Sequence, residues 1–197
     1  MTMTAPQESA RSRVISVAEQ LFSDRGYKSV TLRDIADELG IRQASLYHHF
    51  PKGKEELFVE VTERMMKRHE RGLRDAISRS PVDLESQLKA IARWMLSQPP
   101  IDMSRMVRTD MEEIEEIHRH RLMQAVLKSL ILPIEAVFDQ AMDREGLREV
   151  GHNRLLTSSF LSIMDAIQVS VRFSRRGPEE MADEMIGVML NGLRPRQ

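Results

Sequence analysis

Residues 31–50 read TLRDIADELGIRQASLYHHF, and the order of caps, apolar positions and glycine outlines two short helices joined by a tight corner. Thr31 stands where an N-cap belongs. Asp34, three residues on, places a carboxylate near the positive end of the helix dipole at close to capping-box spacing. Leu32, Ile35, Ala36 and Leu39 recur at helical spacing and share one face, which should pack inward. Gly40 sits at the C-terminal stop, where a positive φ turns the chain without steric penalty, and Ile41 is expected to pin that turn to the core. From Arg42 to Phe50 a helix resumes with Leu46 and Phe50 facing inward, leaving Arg42, Gln43, Ser45, Tyr47, His48 and His49 on other faces. The outline is that of a helix-turn-helix, and it points to DNA.

The outward side chains suit a duplex. Arg and Gln offer base-edge or phosphate contacts in the major groove, Ser and Tyr hydroxyls reach phosphate oxygens, and His can donate to either. Between Ile41 and Lys54 the positive charges Arg42, Lys52 and Lys54 occur with no carboxylate among them. The whole chain is nearly balanced, with 29 basic and 30 acidic residues and a net charge of -1, so this gap in the acids marks a local basic patch. An ordinary helical hairpin with solvated polar residues is the plainer alternative. Cap, glycine corner, preceding helix and following lysine standing in register favour DNA.

The surrounding residues carry a family likeness. Val14-Ile15-Ser16-Val17-Ala18-Glu19-Gln20-Leu21-Phe22, Arg25-Gly26-Tyr27-Lys28-Ser29-Val30-Thr31, Ser45-Leu46-Tyr47-His48-His49-Phe50 and Lys54-Glu55-Glu56-Leu57 together resemble the TetR family of transcriptional regulators. The likeness covers the first quarter to third of the chain. It implies an all-α protein: a three-helix DNA-binding head over 1–53, then a larger helical body over 54–197 that binds an effector and dimerises. It also implies a homodimer acting on double-stranded DNA at a palindromic operator, and the leading expectation is a repressor released by a small molecule, apolar by the methionine content of the body. Carried over by residue, it makes Thr31 and Tyr47 phosphate contacts and turns Gln43, Ser45 and His48 toward base edges. Lys54 becomes a phosphate contact at the start of the next helix. By their own chemistry His48 and His49 are either plain solvated residues or contacts to a base or a phosphate. Two positions depart from the family pattern. Arg42 stands where a Ser or Thr cap is commoner, so the second helix lacks that cap or Arg42 itself meets DNA. The link Pro51-Lys52-Gly53-Lys54 is one residue longer than the commonest link of the family, which leaves Lys52 and Lys54 both candidates for the phosphate contact.

Composition bounds the rest. A chain of 197 residues, 41% hydrophobic and 30% charged, has the mix of a soluble helical protein and room for a head plus a body. No apolar run is long enough to span a bilayer, and MTMTAPQESARSR has no apolar core of the kind a secretory signal needs, so the expected location is the cytoplasm. The absence of cysteine excludes disulfides, thiolate ligands and a cysteine nucleophile. Residues 1 to about 8 read as a mobile arm.

The body reads as helices throughout. One runs from about Glu8 to Arg25 with Gly26 as its stop, one from Lys54 to about Arg79, and one from Leu84 to Ser97 ahead of Pro99-Pro100. A short helix near Asp102 to Met111 leads into a longer one ending about Arg144, which Pro133 should kink or divide. From Arg154 to Phe173 apolar residues occupy more than one face, and from Pro178 Met181, Met185, Val188 and Met189 form a stripe. These last two helices are the expected dimer seam, forming a four-helix interface with their copies, unless both are core helices of a monomer.

Of fourteen methionines, ten follow Trp94, which would give a soft interior able to repack around apolar shapes. The candidate effector-binding residues are Trp94, Met95, Met103, Met106, Met111, Met123, Phe138, Phe160, Met164, Asp165 and Gln168. Asp165 either orients a ligand or pairs with a basic residue. Glu115-x-x-His118 and Glu149-x-x-His152 have the spacing of di-metal bundles, but such a site needs two further inward glutamates, so no metal, cofactor or catalytic residue is assigned. An enzyme of that bundle type is the alternative from another class, and a DNA-binding protein with no effector is a third.

Overall fold

The computed structural model describes residues 9–147 and 152–194. The N-terminal arm, Glu149 and the second Glu-x-x-His pair fall outside them or partly so. Among the described residues every regular element is helical: α1 Ala10–Ser29, α2 Leu32–Leu39, α3 Gln43–His49, α4 Lys54–Arg79, α5 Leu84–Leu96, α6 Met103–Arg105, α7 Glu116–Val126, α8 Leu132–Glu145, α9 Asn153–Ser170 and α10 Pro178–Leu193. None is long and apolar enough to cross a membrane.

Two compact units result, and the first is larger than the expected 1–53. It holds the residues up to Met65, including the first half of α4, together with Ser104–Leu122. α1 packs on α2 and α2 on α3, with Val14, Ala18, Leu21, Phe22, Ile35, Leu46, Phe50 and Phe58 buried between them. Phe58 meets the ring of Phe22 edge-on at 5.3 Å and that of Tyr27 at 4.7 Å. α1 begins two residues later than expected, capped by Ser9, whose hydroxyl accepts from Ser12 N at 3.1 Å. The helix extends to Ser29 with one non-helical residue, Gly26, inside it.

The second unit holds Met66–Met103 and the residues from Met123 onward. Here α5 packs against α8, α9 and α10, while α9 packs against α8 and α10. Leu88, Ile91, Phe138, Phe160 and Ile186 are fully buried in this core. Pro133 produces a difference in kind from a simple break. The chain widens into a π turn over Leu127–Ile131 and then continues as α8, with the proline in its first turn. Proline has no N–H to give and its ring crowds the carbonyl four residues back, so a wider turn relieves both problems without ending the helix. The stretch expected as a helix to Met111 is likewise irregular, running as α6, a π turn over Met106–Asp110 and a 3₁₀ turn over Met111–Glu113.

Candidate nucleic-acid interface and ligand cavity

The start of α2 is fixed by a reciprocal capping box. Thr31 N donates to Asp34 Oδ2 at 2.7 Å, and Asp34 N donates back to Thr31 Oγ1 at 3.2 Å. The Thr31 hydroxyl also donates to Asp34 Oδ2 at 2.6 Å, and these bonds hold the Asp34 carboxyl below its ordinary range. Both donors of Thr31 are thus occupied within the protein. At the other end Gly40 adopts φ 65° and ψ 31°, and Ile41 N donates to Ala36 O at 3.0 Å. Any Cβ at Gly40 would be strained by that backbone, which is why glycine makes this corner. Ile41, expected to anchor the turn, is instead 38% exposed. The backbone bond to Ala36, together with Leu32 and Ile35 beneath, holds the corner without it. Leu39 is only half-buried.

α3 hangs on Leu46 and Phe50, both fully buried. Arg42 is its N-cap and makes no side-chain cap bond, so that guanidinium is not used in closing the helix. Arg42, Gln43, Ser45, Tyr47 and His48 are exposed, and His49 is half-buried. One short, rigid helix therefore presents a run of donors and acceptors with its first turn, Gln43 to Ser45, open to solvent. Lys52 is exposed, whereas Lys54 is half-buried. The Lys54 ammonium donates to Tyr27 O at 3.0 Å and sits 4.1 Å from the centre of the Tyr27 ring. Burial lowers its pKa from the usual lysine value, and burial raises the Tyr27 hydroxyl to about 12.

Residues far along the sequence brace this head, and the motif gave no sign of them. Arg105 donates to Phe22 O at 3.1 Å and also to Ser23 O, closing carbonyls near the end of α1. Asp110, 4% exposed, accepts from Tyr27 N at 2.9 Å, and Lys28 pairs with Glu113 at 2.8 Å. Glu55 Oε1 accepts from Glu115 N at 2.9 Å and lies 2.6 Å from His118 Nδ1. The Glu115 and His118 of the first Glu-x-x-His pair thus meet Glu55 in the first turn of α4, with donor atoms within 4.8 Å of one another. The Glu55 carboxylate thereby ties the Glu115 backbone and the His118 ring to the start of α4.

In the second unit a small cavity gathers Met95, Met103, Met164, Asp165 and Gln168 from the expected set. Leu130, Leu161, Ile101, Pro99 and His69 complete it, around about 20 Å³ of free space, roughly room for one water molecule. His69 had no signal in the sequence beyond its place on α4. The remaining candidates lie elsewhere. Met106 and Met111 are buried in the first unit, Met123 is 39% exposed, and Phe138 and Phe160 are fully buried core residues that do not line the cavity. Trp94 lines a neighbouring open cleft with Arg68, Arg71, Gly72, Asp75, Ala76 and Arg79.

Residues 14–61 match the model of the bacterial regulatory proteins of the tetR family. Over these residues the chain carries a TetR-family DNA-binding head. Over 53 residues it is 51% identical to the HTH-type transcriptional repressor KstR2 of Mycolicibacterium smegmatis, a match covering 27% of this chain and only 25% of that repressor. Over 181 residues it is 26% identical to the HTH-type transcriptional regulator YxaF of Bacillus subtilis, covering 92% of this chain and 95% of the relative. A solved tetR-family regulatory protein from Rhodococcus RHA1 superposes with a TM-score of 0.75 at 16% identity, over 97% of this chain and all of the other. The TetR head belongs to DNA-binding transcriptional regulators rather than enzymes, and likeness at 16% identity extends to the fold alone.

Proposed function

We propose that the protein is a homodimeric TetR-family repressor acting in the cytoplasm, which grips a near-palindromic operator and releases it when a small molecule occupies the body. The observation that carries the reading is the face of α3: five exposed hydrogen-bonding side chains, Arg42 to His48, in a stretch free of carboxylates. Gln43 and Ser45, in the first turn, read base edges with His48, while Arg42, Tyr47, His49 and Lys52 contact phosphates or flanking bases. Lys54 has donors left beyond its bond to Tyr27 and reinforces the phosphate contact. Thr31 chiefly fixes α2, and its hydroxyl reaches a phosphate only by leaving Asp34.

The dimer reading is supported by an apolar stripe. On α9 and just beyond it Leu155, Val169 and Phe173 are 65%, 59% and 88% exposed, and on α10 Met185 and Val188 are 36% and 59% exposed. Leu155, Ser159, Ser162, Ala166, Val169 and Phe173 alternate by four and three, the spacing of a helix-packing seam. Packing of this stripe on its copy would bury it and join two α3 helices in one molecule, as half-sites about 34 Å apart require. An effector weakens binding if it favours a different separation of the heads. Met103 lines the cavity and Arg105, two residues on, closes the end of α1, so the covalent chain itself offers a route. The test is selection of bound fragments from random DNA. Symmetric half-sites one helical turn apart are expected, with affinity falling steeply in salt. Recovery of unrelated sequences would refute the operator.

A further inference from the structure

Two cavities of the body share a wall. On one side lies the small cavity of Met95, Met103 and Met164, and on the other the open cleft of Arg68, Arg71 and Arg79, with about 400 Å³ of free space. Arg68 and His69 are successive on α4, and Trp94 and Met95 are successive on α5, so each helix contributes to both sides. The wall is the His69–Trp94 pair, edge-on with ring centroids 6.3 Å apart. His69 is 1% exposed, and among the described residues neither of its ring nitrogens has a hydrogen-bond partner, nor has the buried Trp94 Nε1. Leaving such groups unpaired is costly, and an apolar pair in their place would avoid the cost. Gly72 lets the indole lie against α4: a Cβ there would come within 2.0 Å of Trp94 Cε2.

We infer that the body binds an amphipathic anion: a carboxylate or phosphate head among the cleft arginines, a neutral carbonyl at the His69–Trp94 wall, and an apolar chain in the methionine cavity. Arg71 and Arg79 face one carboxylate, Asp75, around the cleft, so its lining is net positive even without Arg68. Arg71 and Arg79 are exposed, two turns apart on the same face of α4, and well placed to receive a head group from solvent. Burial lowers the His69 pKa to about 4, helped by Arg68, so the ring is neutral at ordinary pH and suits an uncharged oxygen. The nearly closed cavity opens as its unbranched methionines change rotamer and Trp94 moves off Gly72.

This inference rests on the reading of the body as the effector-binding half. The test uses the full chain and three probes with one decanoyl amide in common: N-decanoylglycine, N-decanoylethanolamine phosphate and neutral N-decanoylethanolamine. Titration calorimetry should show at least one anionic probe binding about tenfold more tightly than the neutral one. Arg71→Gln with Arg79→Gln, both at exposed positions, should erase that preference, whereas His69→Leu should weaken all probes alike. Carboxylate and phosphate sources are separated by which anion binds better. Equal binding of charged and neutral probes, a preference that survives the double substitution, or no binding at all would overturn the inference. Duplex binding without any probe is measured on the same samples, and its loss would count against the regulator instead.

Discussion

At the scale of single residues, the site is a division between side chains that hold the backbone and side chains left free. Gln43 is of the second kind, exposed in the first turn of α3. Gln43→Ala should therefore cost about 1 to 3 kcal/mol on the selected operator and little on random duplex, measured by fluorescence anisotropy. An equal loss on both would remove it as a base reader. Thr31 is of the first kind. Thr31→Ala breaks the capping box and should lower unfolding stability by about 1 kcal/mol in urea melts. Lys54 shows where sequence alone runs short: its place at the start of α4 was legible, but its bond to Tyr27 O depends on a partner 27 residues away. His69 gives a prediction in pH. Its folded pKa, lowered to about 4, lies below the ordinary 6.5, so the unfolded chain binds the proton more readily. Stability is full above the ordinary value and falls as the pH drops toward 4. Between pH 7 and pH 5 the loss from this group should be about 2 kcal/mol. His69→Leu should remove that part of the dependence, and an unchanged slope would show that His69 is solvated.

At the scale of elements, helices delimited by their own chemistry were readable. α4 runs from Lys54 to Arg79 as expected, because apolar positions recur at helical spacing and Ser80-Pro81 stops it. α5 and α10 are set in the same way by Asp83 and the double proline, and by Gly177-Pro178. The π turns were not readable, since they arise from a compromise between Pro133 and the packing of α8 and from the irregular course of residues 106–113. Nor was the brace of Arg105 and Asp110 on α1, which depends on pairings across more than eighty residues. The cavity was half legible. Methionine content pointed to the right kind of lining, but only the tertiary arrangement separates Met95, Met103 and Met164 from Met106 and Met111. The exposed stripe of α9 gives the prediction at this scale. Val169→Glu places a charge in the C-terminal half of the seam and should convert the dimer to monomer in sedimentation velocity, with the helical circular dichroism retained. A dimer unaffected by that change would mean that another surface joins the copies.

At the scale of the whole molecule, the proposed function requires DNA reading and dimerisation to reside in one assembly. A single α3 has only seven residues with which to read DNA, too few for an operator-length site, and symmetry doubles the reading without a new surface. The apolar stripe of α9 and α10 and the free face of α3 are therefore parts of one claim: two copies joined through the body present two reading heads to one duplex. The most direct test is sedimentation equilibrium of the full chain, alone and with the duplex recovered from random-sequence selection. The account predicts a dimer in free solution and two chains on each duplex, with binding lost when the spacing between half-sites is changed by half a helical turn. A monomer that binds every duplex alike, or none at low salt, would contradict it.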